Sequence, residues 1–367
     1  MKILHTEASQ GYGGQEMRIV NEAKGMMDRG HDVQLVCPPD AQIADLARSR
    51  GIPVDVIAIG RKNLSGIRAM RDWIKQTRPD VINTHSSTDS WLVGLATRLM
   101  SRRPAIVRTR HISAPVSKSL SSRWLYTRSC DHVVTTGENL RQTLINVNGF
   151  PARQITSVRT GIDLGVYRPG DRQSARQALE LDANAFIVGI VATLRSWKGH
   201  RYLVDAIASL PHDDLKLIIV GDGPQWDALH AQVEQAGLQS RVSFTGRQDN
   251  VAQWLQAMDI VCLPSYANEG VPQTLMQAQA CGIPAVTTLN GSIDEAVIPD
   301  ETALIVEPKN CASIAQAIAR LYDDTELRLR LGSAAGENAS RQFSDTQMID
   351  AMETIFTAAI ALRGHDA

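Results

Sequence analysis

The sequence is poor in aromatic residues and in cysteine, and it has no long apolar run. Phe, Trp and Tyr make up 5% of the 367 residues, so the core must be mainly aliphatic. The five cysteines are widely spaced without a Cys-x-x-Cys pair, which favours reduced thiols in the core over a disulfide framework or a structural zinc site. No apolar run approaches the ~18 residues of a spanning helix, and no signal-peptide pattern precedes the first strand. These absences predict a soluble, cytoplasmic protein.

Acidic residues are missing from one long stretch of the first half. No Asp or Glu occurs from Ser90 to Cys130, a window with eight Lys and Arg residues. One interpretation is a surface for an anionic ligand or an acidic membrane. The other is a solvated basic face that pairs with the acidic second half of the chain. Nucleic acid is not expected, because no recognition motif occurs. The candidate contact residues of this window are Arg108, Arg110, Lys118, Arg123 and Arg128.

Strand-like and helical segments alternate along the whole chain, which predicts parallel sheets with helices on both faces. Two such sets occur. The predicted strands are 1–5, 33–37, 54–57, 81–84, 105–109 and 132–135 in the first set, and 187–192, 215–220, 242–245, 260–263, 285–287 and 303–305 in the second. We therefore expect an α/β protein with two doubly wound, Rossmann-like domains facing across a cleft. The expected segments are a domain at 1–168, a linker at 169–184, a domain at 185–344 and a final helix within 345–367.

Ligands of open α/β sheets bind at the carboxyl ends of the strands, so the loops that follow strands are the places to search for chemistry. The first such loop contains Gly11, Gly13 and Gly14. Gly13 and Gly14 let backbone N–H groups approach a phosphate or a sugar closely. The spacing differs from the G-x-G-x-x-G dinucleotide pattern, and a tight turn without a ligand explains the glycines equally well.

His111 directly follows Arg110 at the end of a predicted strand. An imidazole in this position is suited to donate a hydrogen bond to a sugar hydroxyl. The alternative is a polar cluster at the surface with no ligand.

Two cations lie three residues apart in the loop after the seventh predicted strand. Arg195 and Lys198 precede a helix start and are suited to bind a pyrophosphate, although no Walker A motif occurs. Gly221 is a further candidate for binding this ligand, although turn chemistry alone also explains the turn to which it belongs. Arg247 lies where the chain leaves another predicted strand, and the exposed backbone at this position is suited to hydrogen-bond a nucleobase.

The segment around Glu269 is the most informative loop. A carboxylate at this position can accept hydrogen bonds from two sugar hydroxyls, and Gln277 projects from the helix that follows towards the same ligand. The alternative is an acid that only interacts with the dipole of that helix. The backbone N–H groups that would face a phosphate belong to Gly270, Val271, Gln273 and Thr274.

Taken together, these loops resemble the retaining, nucleotide-sugar-dependent glycosyltransferases of family 4, group 1, which have the GT-B fold. The order and spacing of the loops carry the resemblance over nearly the whole chain. It implies that the first domain holds the acceptor and the second the donor, and that the last helix crosses back to the first domain. It also implies that Lys198 binds the donor diphosphate, Glu269 contacts the transferred sugar, and His111 belongs to the catalytic centre.

The sequence departs from the family pattern at two positions. Gln277 stands where the family has a second Glu that contacts ribose, and an amide can still hydrogen-bond ribose hydroxyls. Thr193 stands where an arginine is usual, and Arg195 lies two positions further on.

The resemblance predicts transfer of a sugar from a nucleoside diphosphate sugar to a hydroxyl, with retention and without a metal or cofactor. We favour a UDP-sugar over a GDP-sugar as the donor. The expected acceptor is an anionic glycan or glycolipid of lipopolysaccharide or another cell-surface glycan, reached at the inner face of the membrane. Two alternatives remain open: a sugar-nucleotide epimerase, and an inactive protein that only binds a sugar nucleotide.

Overall fold

The computed structural model describes residues 1–11, 13–112 and 114–364, and the chain divides into two compact units. The first unit comprises Met1–Gly161 together with the segment that begins at Asp345. The second unit comprises Ile162–Ser344. The boundary thus lies between Gly161 and Ile162 rather than after residue 168, and the segment predicted as a linker is part of the second unit.

The first unit is built on a seven-stranded parallel sheet with the strand order β3-β2-β1-β4-β5-β6-β7. Its strands are β1 (Lys2–Thr6), β2 (Asp32–Cys37), β3 (Val54–Val56), β4 (Val81–Thr84), β5 (Ala105–Arg110), β6 (His132–Thr135) and β7 (Ile155–Ser157). Its helices are α1 (Gly14–Asp28), α2 (Ile43–Ser49), α3 (Leu64–Thr77), α4 (Ser87–Thr97), α5 (Leu120–Thr127) and α6 (Glu138–Asn146). Because both faces are covered by helices, the central strands are buried along most of their length. They are mainly apolar, but β1 carries His5 and β5 carries Arg108.

The second unit is built on a six-stranded parallel sheet with the strand order β10-β9-β8-β11-β12-β13. Its strands are β8 (Phe186–Val191), β9 (Leu215–Val220), β10 (Val242–Gly246), β11 (Ile260–Leu263), β12 (Ala285–Thr287) and β13 (Ala303–Ile305). Its helices are α7 (Arg172–Ala178), α8 (His200–Ser209), α9 (Trp226–Gln235), α10 (Val251–Ala257), α11 (Gln273–Ala280), α12 (Cys311–Asp323) and α13 (Thr325–Gln342). The prediction of two doubly wound α/β sheets is confirmed.

The segment predicted as a linker is anchored by a buried ion pair. Arg176 of α7 is 4% exposed, and its guanidinium donates to Asp259 at 2.7 Å and to the carbonyl of Ala257 at 2.9 Å. Arg172 reaches the other oxygen of Asp259 at 2.6 Å. Since burying a charged group is costly unless it is paired, these bonds fix α7 to the second unit.

The last helix, α14 (Asp345–Gly364), packs on α1 of the first unit. Its apolar side chains Met348, Met352 and Phe356 join the core cluster that includes β1 and α1. The two helices approach so closely that a Cβ at Gly25 would lie 1.9 Å from Cδ1 of Ile349. Arg29 adds ion pairs to Asp350 and Glu353 on the helix surface.

All five cysteines are unpaired, but only four of them are buried. Cys311, the first residue of α12, is exposed, so the expectation of a core thiol is wrong at this position. Among the helices of the described residues, none is both long and apolar enough to span a bilayer.

Candidate functional site

Each sheet has one point at which the strand order reverses. In the second unit this point lies between β8 and β11, because the chain runs outward from β8 through β10 and returns beside β8 with β11. In the first unit it lies between β1 and β4. Since the loops on either side of such a point diverge, the crevice between them is the usual ligand site of open α/β sheets.

At the reversal point of the second unit, the two loops meet through an ion pair. Nζ of Lys198, in the loop after β8, lies 2.7 Å from Oε1 of Glu269, in the loop after β11. The carboxylate is buried, with 5% of its side chain exposed, whereas the lysine side chain is 21% exposed. The structure therefore brings together the two residues to which the resemblance assigns the diphosphate and the transferred sugar.

Lys198 is held in place by a tight turn. Ser196–Lys198 forms a 3-10 turn that ends at Gly199, whose φ is +83°. A Cβ at Gly199 would lie 2.3 Å from the carbonyl oxygen of Pro264. The backbone N–H of Tyr266 donates to the carbonyl of Trp197 at 2.9 Å. The turn is thus fixed directly to the loop that carries Glu269.

The backbone of Glu269 is fixed from the opposite side. A Cβ at Gly291, where φ is +68°, would lie 2.2 Å from the carbonyl oxygen of Glu269. The N–H of Ser292 donates to that oxygen at 3.3 Å, and Asn268 before it has a left-handed φ of +57°. Only glycine permits this close approach at position 291, so the sequence itself sets the position of the carboxylate.

Gly221 and its neighbour Gly223 have a role beyond turn formation. Their φ values are +140° and +154°, and a Cβ on Gly221 would lie 2.1 Å from the carbonyl oxygen of Ala192. The N–H of Leu194 donates to the carbonyl of Asp222 at 3.0 Å. The turn after β9 therefore packs against the loop that leads to Lys198.

Helix α11 starts at Gln273, four residues after Glu269. In the described part of the chain, no acceptor is found for the N–H groups of Gly270 and Val271, while the hydroxyl of Thr274 donates to the carbonyl of Val191 at 2.9 Å. Gln273 is the first residue of α11, and Gln277 lies one turn further along it and is half-buried.

The two remaining basic candidates of the second unit are exposed. The Arg195 guanidinium lies 5.7 Å from the ring centroid of Trp197, and it makes no ion pair with a described carboxylate. Arg247 directly follows β10. The structure thus places Lys198 and Glu269 together and leaves both arginines on the surface of the unit.

In the first unit, His111 is the last member of a chain of three histidines. Its Nε2 lies 2.9 Å from Nδ1 of His85, whose own Nε2 lies 3.0 Å from Nδ1 of His5. His5 belongs to β1 and His85 directly follows β4, so the chain begins at the reversal point of the sheet. Burial is the largest cause that lowers the pKa of each: His5 to about 3, and His85 and His111 well below the ordinary 6.5.

Two buried carboxyl groups lie beside these three histidines. Asp89 accepts hydrogen bonds from the Thr6 hydroxyl at 2.7 Å and from the N–H of His85 at 2.9 Å. Glu7 accepts from the N–H of Ser9 at 2.7 Å. Burial, and then the charge of Asp89, raises the pKa of Glu7 to about 8. Glu7, Asp89, His5 and His85 were not predicted from the sequence as site residues.

The glycine-rich loop enters α1 at Gly14, and Gly13 precedes the helix with an extended φ of −177°. A Cβ at Gly13 would meet only Oε2 of Glu16, at an ordinary 3.7 Å. No described contact of the protein therefore requires glycine at position 13. Tyr12 lies outside the described residues.

The basic window separates into one buried arginine and a group of more accessible cations. Arg108 is 4% exposed and stacks 4.2 Å from the ring centroid of Tyr126. Arg110 is half-buried and donates to the Tyr126 hydroxyl at 2.9 Å. The exposed members are Arg98, Arg102, Lys118, Arg123 and Arg128.

Comparison with known proteins identifies the family of both units. Residues 171–338 match the family model "Glycosyl transferases group 1", and residues 12–166 match "Glycosyltransferase Family 4". A D-inositol 3-phosphate glycosyltransferase of Corynebacterium efficiens is 30% identical over 310 residues, covering 76% of this chain and 71% of the relative. An N-acetyl-alpha-D-glucosaminyl L-malate synthase of Bacillus anthracis is 30% identical over 207 residues, covering 56% of this chain and 54% of the relative.

A solved structure has the same fold over nearly the whole chain. The crystal structure of HepE from Anabaena in complex with UDP and glucose has a TM-score of 0.86 and 26% sequence identity. The alignment covers 97% of this chain and 99% of HepE. The chain described here is a glycosyltransferase of family 4, group 1, with the GT-B fold.

Proposed function

We propose that the donor is a nucleoside diphosphate sugar, a UDP-sugar before a GDP-sugar, and that the second unit binds it. The observation that carries this proposal is the Lys198–Glu269 ion pair at the reversal point of the second sheet. The structure of HepE, which is 26% identical, was solved with UDP and glucose. This supports a uridine donor.

Each group at this point has a distinct role in the proposed complex. The Lys198 ammonium has three N–H donors, so it can keep its bond to Glu269 and also bind the diphosphate. Glu269 accepts hydrogen bonds from hydroxyls of the transferred sugar. The N–H groups of Gly270 and Val271 face the phosphates at the start of α11, and Gln277 hydrogen-bonds the ribose.

The reaction breaks the bond between the anomeric carbon and the diphosphate oxygen, and it forms a bond from that carbon to the acceptor oxygen. The acceptor proton passes to the departing diphosphate oxygen on the same face, which retains the anomeric configuration. Negative charge grows on the diphosphate during this step. Lys198 and the α11 N-terminus are preorganised to stabilise that charge, which requires no metal.

The experiment that tests this function is incubation of the purified protein with UDP-, GDP-, ADP- and CMP-sugars, with and without a hydroxyl acceptor. We expect acceptor-dependent release of a nucleoside diphosphate and an anomeric configuration in the product that matches the donor. A new sugar nucleotide formed without acceptor would indicate an epimerase instead. Binding without either reaction would indicate an inactive sugar-nucleotide-binding protein.

We propose further that the acceptor carries an anionic group near Arg108. In the described part of the chain, Nε and Nη1 of this buried arginine have no hydrogen-bond partner. Lys62, which donates to the Ser87 hydroxyl at 3.1 Å, has its pKa lowered by burial and then by the charge of Arg108. Buried hydrogen-bond donors without an acceptor are costly, and a carboxylate or phosphate would offset that cost. L-malate and inositol 3-phosphate, which appear in the names of the two relatives, are both anions. An acceptor from lipopolysaccharide stays a prediction.

Replacing Arg108 with methionine is expected to raise the KM for an anionic acceptor at least about tenfold, because a charge-assisted hydrogen bond contributes about 1.5–3 kcal/mol. The dissociation constant for UDP is expected to stay unchanged. Steady-state kinetics with an anionic acceptor and its neutral amide or ester check this. Arg128→Met is the matched control, since Arg128 is exposed. An equal loss with both acceptors would contradict an anion contact.

Arg123 of α5 and Arg128, which directly follows α5, are exposed cations that suit an acidic membrane surface. We propose that the double variant Arg123→Glu with Arg128→Glu binds anionic vesicles at least about tenfold more weakly at low salt, since each basic residue near such a surface contributes about 1 kcal/mol. The difference is expected to shrink in high salt. Sedimentation with vesicles of phosphatidylglycerol and phosphatidylcholine measures it. Arg48→Glu with Arg50→Glu, two exposed residues of the same unit, is the control. Equal binding of vesicles by both double variants would contradict the proposal that the basic window contacts the membrane.

A further inference from the structure

The three histidines of the first unit form a continuous hydrogen-bonded line from the sheet interior to a half-buried end. His5 is 0% exposed and His85 is 4% exposed, while His111 is half-buried. The rings of His5 and His85 stack with centroids 5.3 Å apart and an interplanar angle of 16°. Those of His85 and His111 are 5.2 Å apart and tilted by 36°.

Each of the two contacts in this line joins a ring nitrogen to a ring nitrogen, so each needs one proton between its two atoms. Burial favours neutral rings, and the charges of Arg18 and Arg110 further oppose a proton on His111. If His85 carried two protons it would be a buried cation, and if it carried none it would be an anion. Both protons of the line must therefore point in the same direction.

Only two arrangements satisfy this condition. Either all three rings carry the proton on Nδ1, or all three carry it on Nε2. The inner end decides between them, because Nε2 of His5 is buried and has no hydrogen-bond partner in the described part of the chain. An orphaned buried N–H is rarer in proteins than an acceptor left without a donor. The first arrangement leaves only a lone pair unsatisfied at this atom.

We propose that His85 is a positioning residue, which His5 orients by donating to its Nε2, and that it holds His111 as the neutral tautomer protonated on Nδ1. His85 donates from Nδ1 to Nε2 of His111. The outer nitrogen of His111 is then a hydrogen-bond donor and not a base. Among the described residues, no partner is found for that nitrogen. Resting on the proposed function, the group it addresses is a hydroxyl of a sugar substrate.

The tautomers can be measured without any substrate, which separates this proposal from the proposed function. Long-range ¹⁵N–¹H correlation spectra of protein labelled at histidine distinguish protonated from unprotonated ring nitrogens. At pH 7 we expect His5, His85 and His111 all to carry the proton on Nδ1. A proton on Nε2 of His111, or an imidazolium at any of the three, would overturn the assignment.

Substitution of His85 tests the positioning role. In His85→Leu, His111 is expected to lose its fixed tautomer and to show a mixture of both. The value of kcat/KM is expected to fall about tenfold, as is usual when a residue that orients an active group is removed. His85→Asn places an amide N–H near the position of Nδ1, so it is expected to restore the Nδ1 tautomer and much of the activity.

A matched control is available on the same sheet. His132 of β6 is half-buried and its Nε2 lies 2.9 Å from the Thr156 hydroxyl, outside the line. His132→Leu is expected to leave the His111 tautomer and kcat/KM unchanged. If His85→Leu leaves the His111 spectrum unchanged, the proposal is wrong, whatever its activity. If His85→Asn restores neither the tautomer nor the activity, His85 has only a packing role.

Discussion

Replacing Lys198 with alanine is expected to lower kcat for sugar transfer by about a hundredfold to a thousandfold. Loss of one preorganised donor to a developing negative charge has a cost of this size. The ammonium lies 2.7 Å from Glu269 and is more exposed than its partner, so it has N–H groups left for a ligand. Transfer measured as acceptor-dependent release of nucleoside diphosphate checks the prediction. Arg201→Ala removes a nearby exposed cation from α8 and should leave kcat unchanged.

Loss of stability must be separated from loss of chemistry, because removal of Lys198 leaves a buried carboxylate without its partner. Glu269→Gln and the double variant with Lys198→Ala complete a double-mutant cycle. The double variant is expected to regain most of the stability that Lys198→Ala loses, since the carboxylate charge that the ammonium balanced is removed as well. Its activity is expected to stay as low as that of the single variants. Near-native turnover in Lys198→Ala or in Glu269→Ala would contradict the proposal that the ion pair belongs to the donor site.

The sheets were predictable because fully covered parallel strands are read as short apolar runs. The strands at 81–84, 215–220 and 260–263 have the predicted bounds. The short edge strand β7 was missed, and so was α13, whose sequence is polar along much of its length. The segment 169–184 was wrongly predicted as a linker because the ion pair that anchors it joins Arg176 to Asp259, which is 83 residues away in the sequence. No local pattern records such a pairing.

The same difference in range explains the candidate site. Loops after strands pointed to Lys198 and Glu269, because a parallel fold brings the carboxyl ends of its strands to one edge. His5 was not predicted as a site residue, because a single histidine inside a strand does not by itself indicate a functional site. Its role depends on contacts with His85, 80 residues away, and through it with His111. The lack of hydrogen-bond acceptors for Nε and Nη1 of Arg108 likewise depends on which groups surround the side chain, and these come from distant segments.

The second large effect that we expect concerns the carboxyl group of Glu7 and the stability of the first unit. This side chain is 0% exposed, and burial together with the charge of Asp89 raises its pKa from 4.5 to about 8. Between these values the folded chain keeps a proton that the unfolded chain releases. The contribution of Glu7 to the free energy of unfolding should therefore fall as pH rises from 5 to 8, by up to about 1.4 kcal/mol per pH unit. Glu7→Gln should remove this part of the pH dependence.

Urea unfolding at pH 5, 6, 7 and 8 measures the effect. At pH 5 the two proteins are expected to have similar stability, because Glu7 is protonated in the fold and an amide resembles that form. At pH 8 the variant should be more stable by several kcal/mol. The pH dependence that remains in the variant comes from Glu22, whose pKa burial raises to about 7 against the charge of Arg18, and from the buried histidines. The lowered pKa values of His5, His85 and His111 make the free energy of unfolding rise with pH up to about 6.5 in both proteins. Asp45→Asn, at an exposed position of α2, should keep the full dependence. Parallel pH profiles for wild type and Glu7→Gln would mean that Glu7 is ionised in the folded chain and that a cation must balance it beside Asp89.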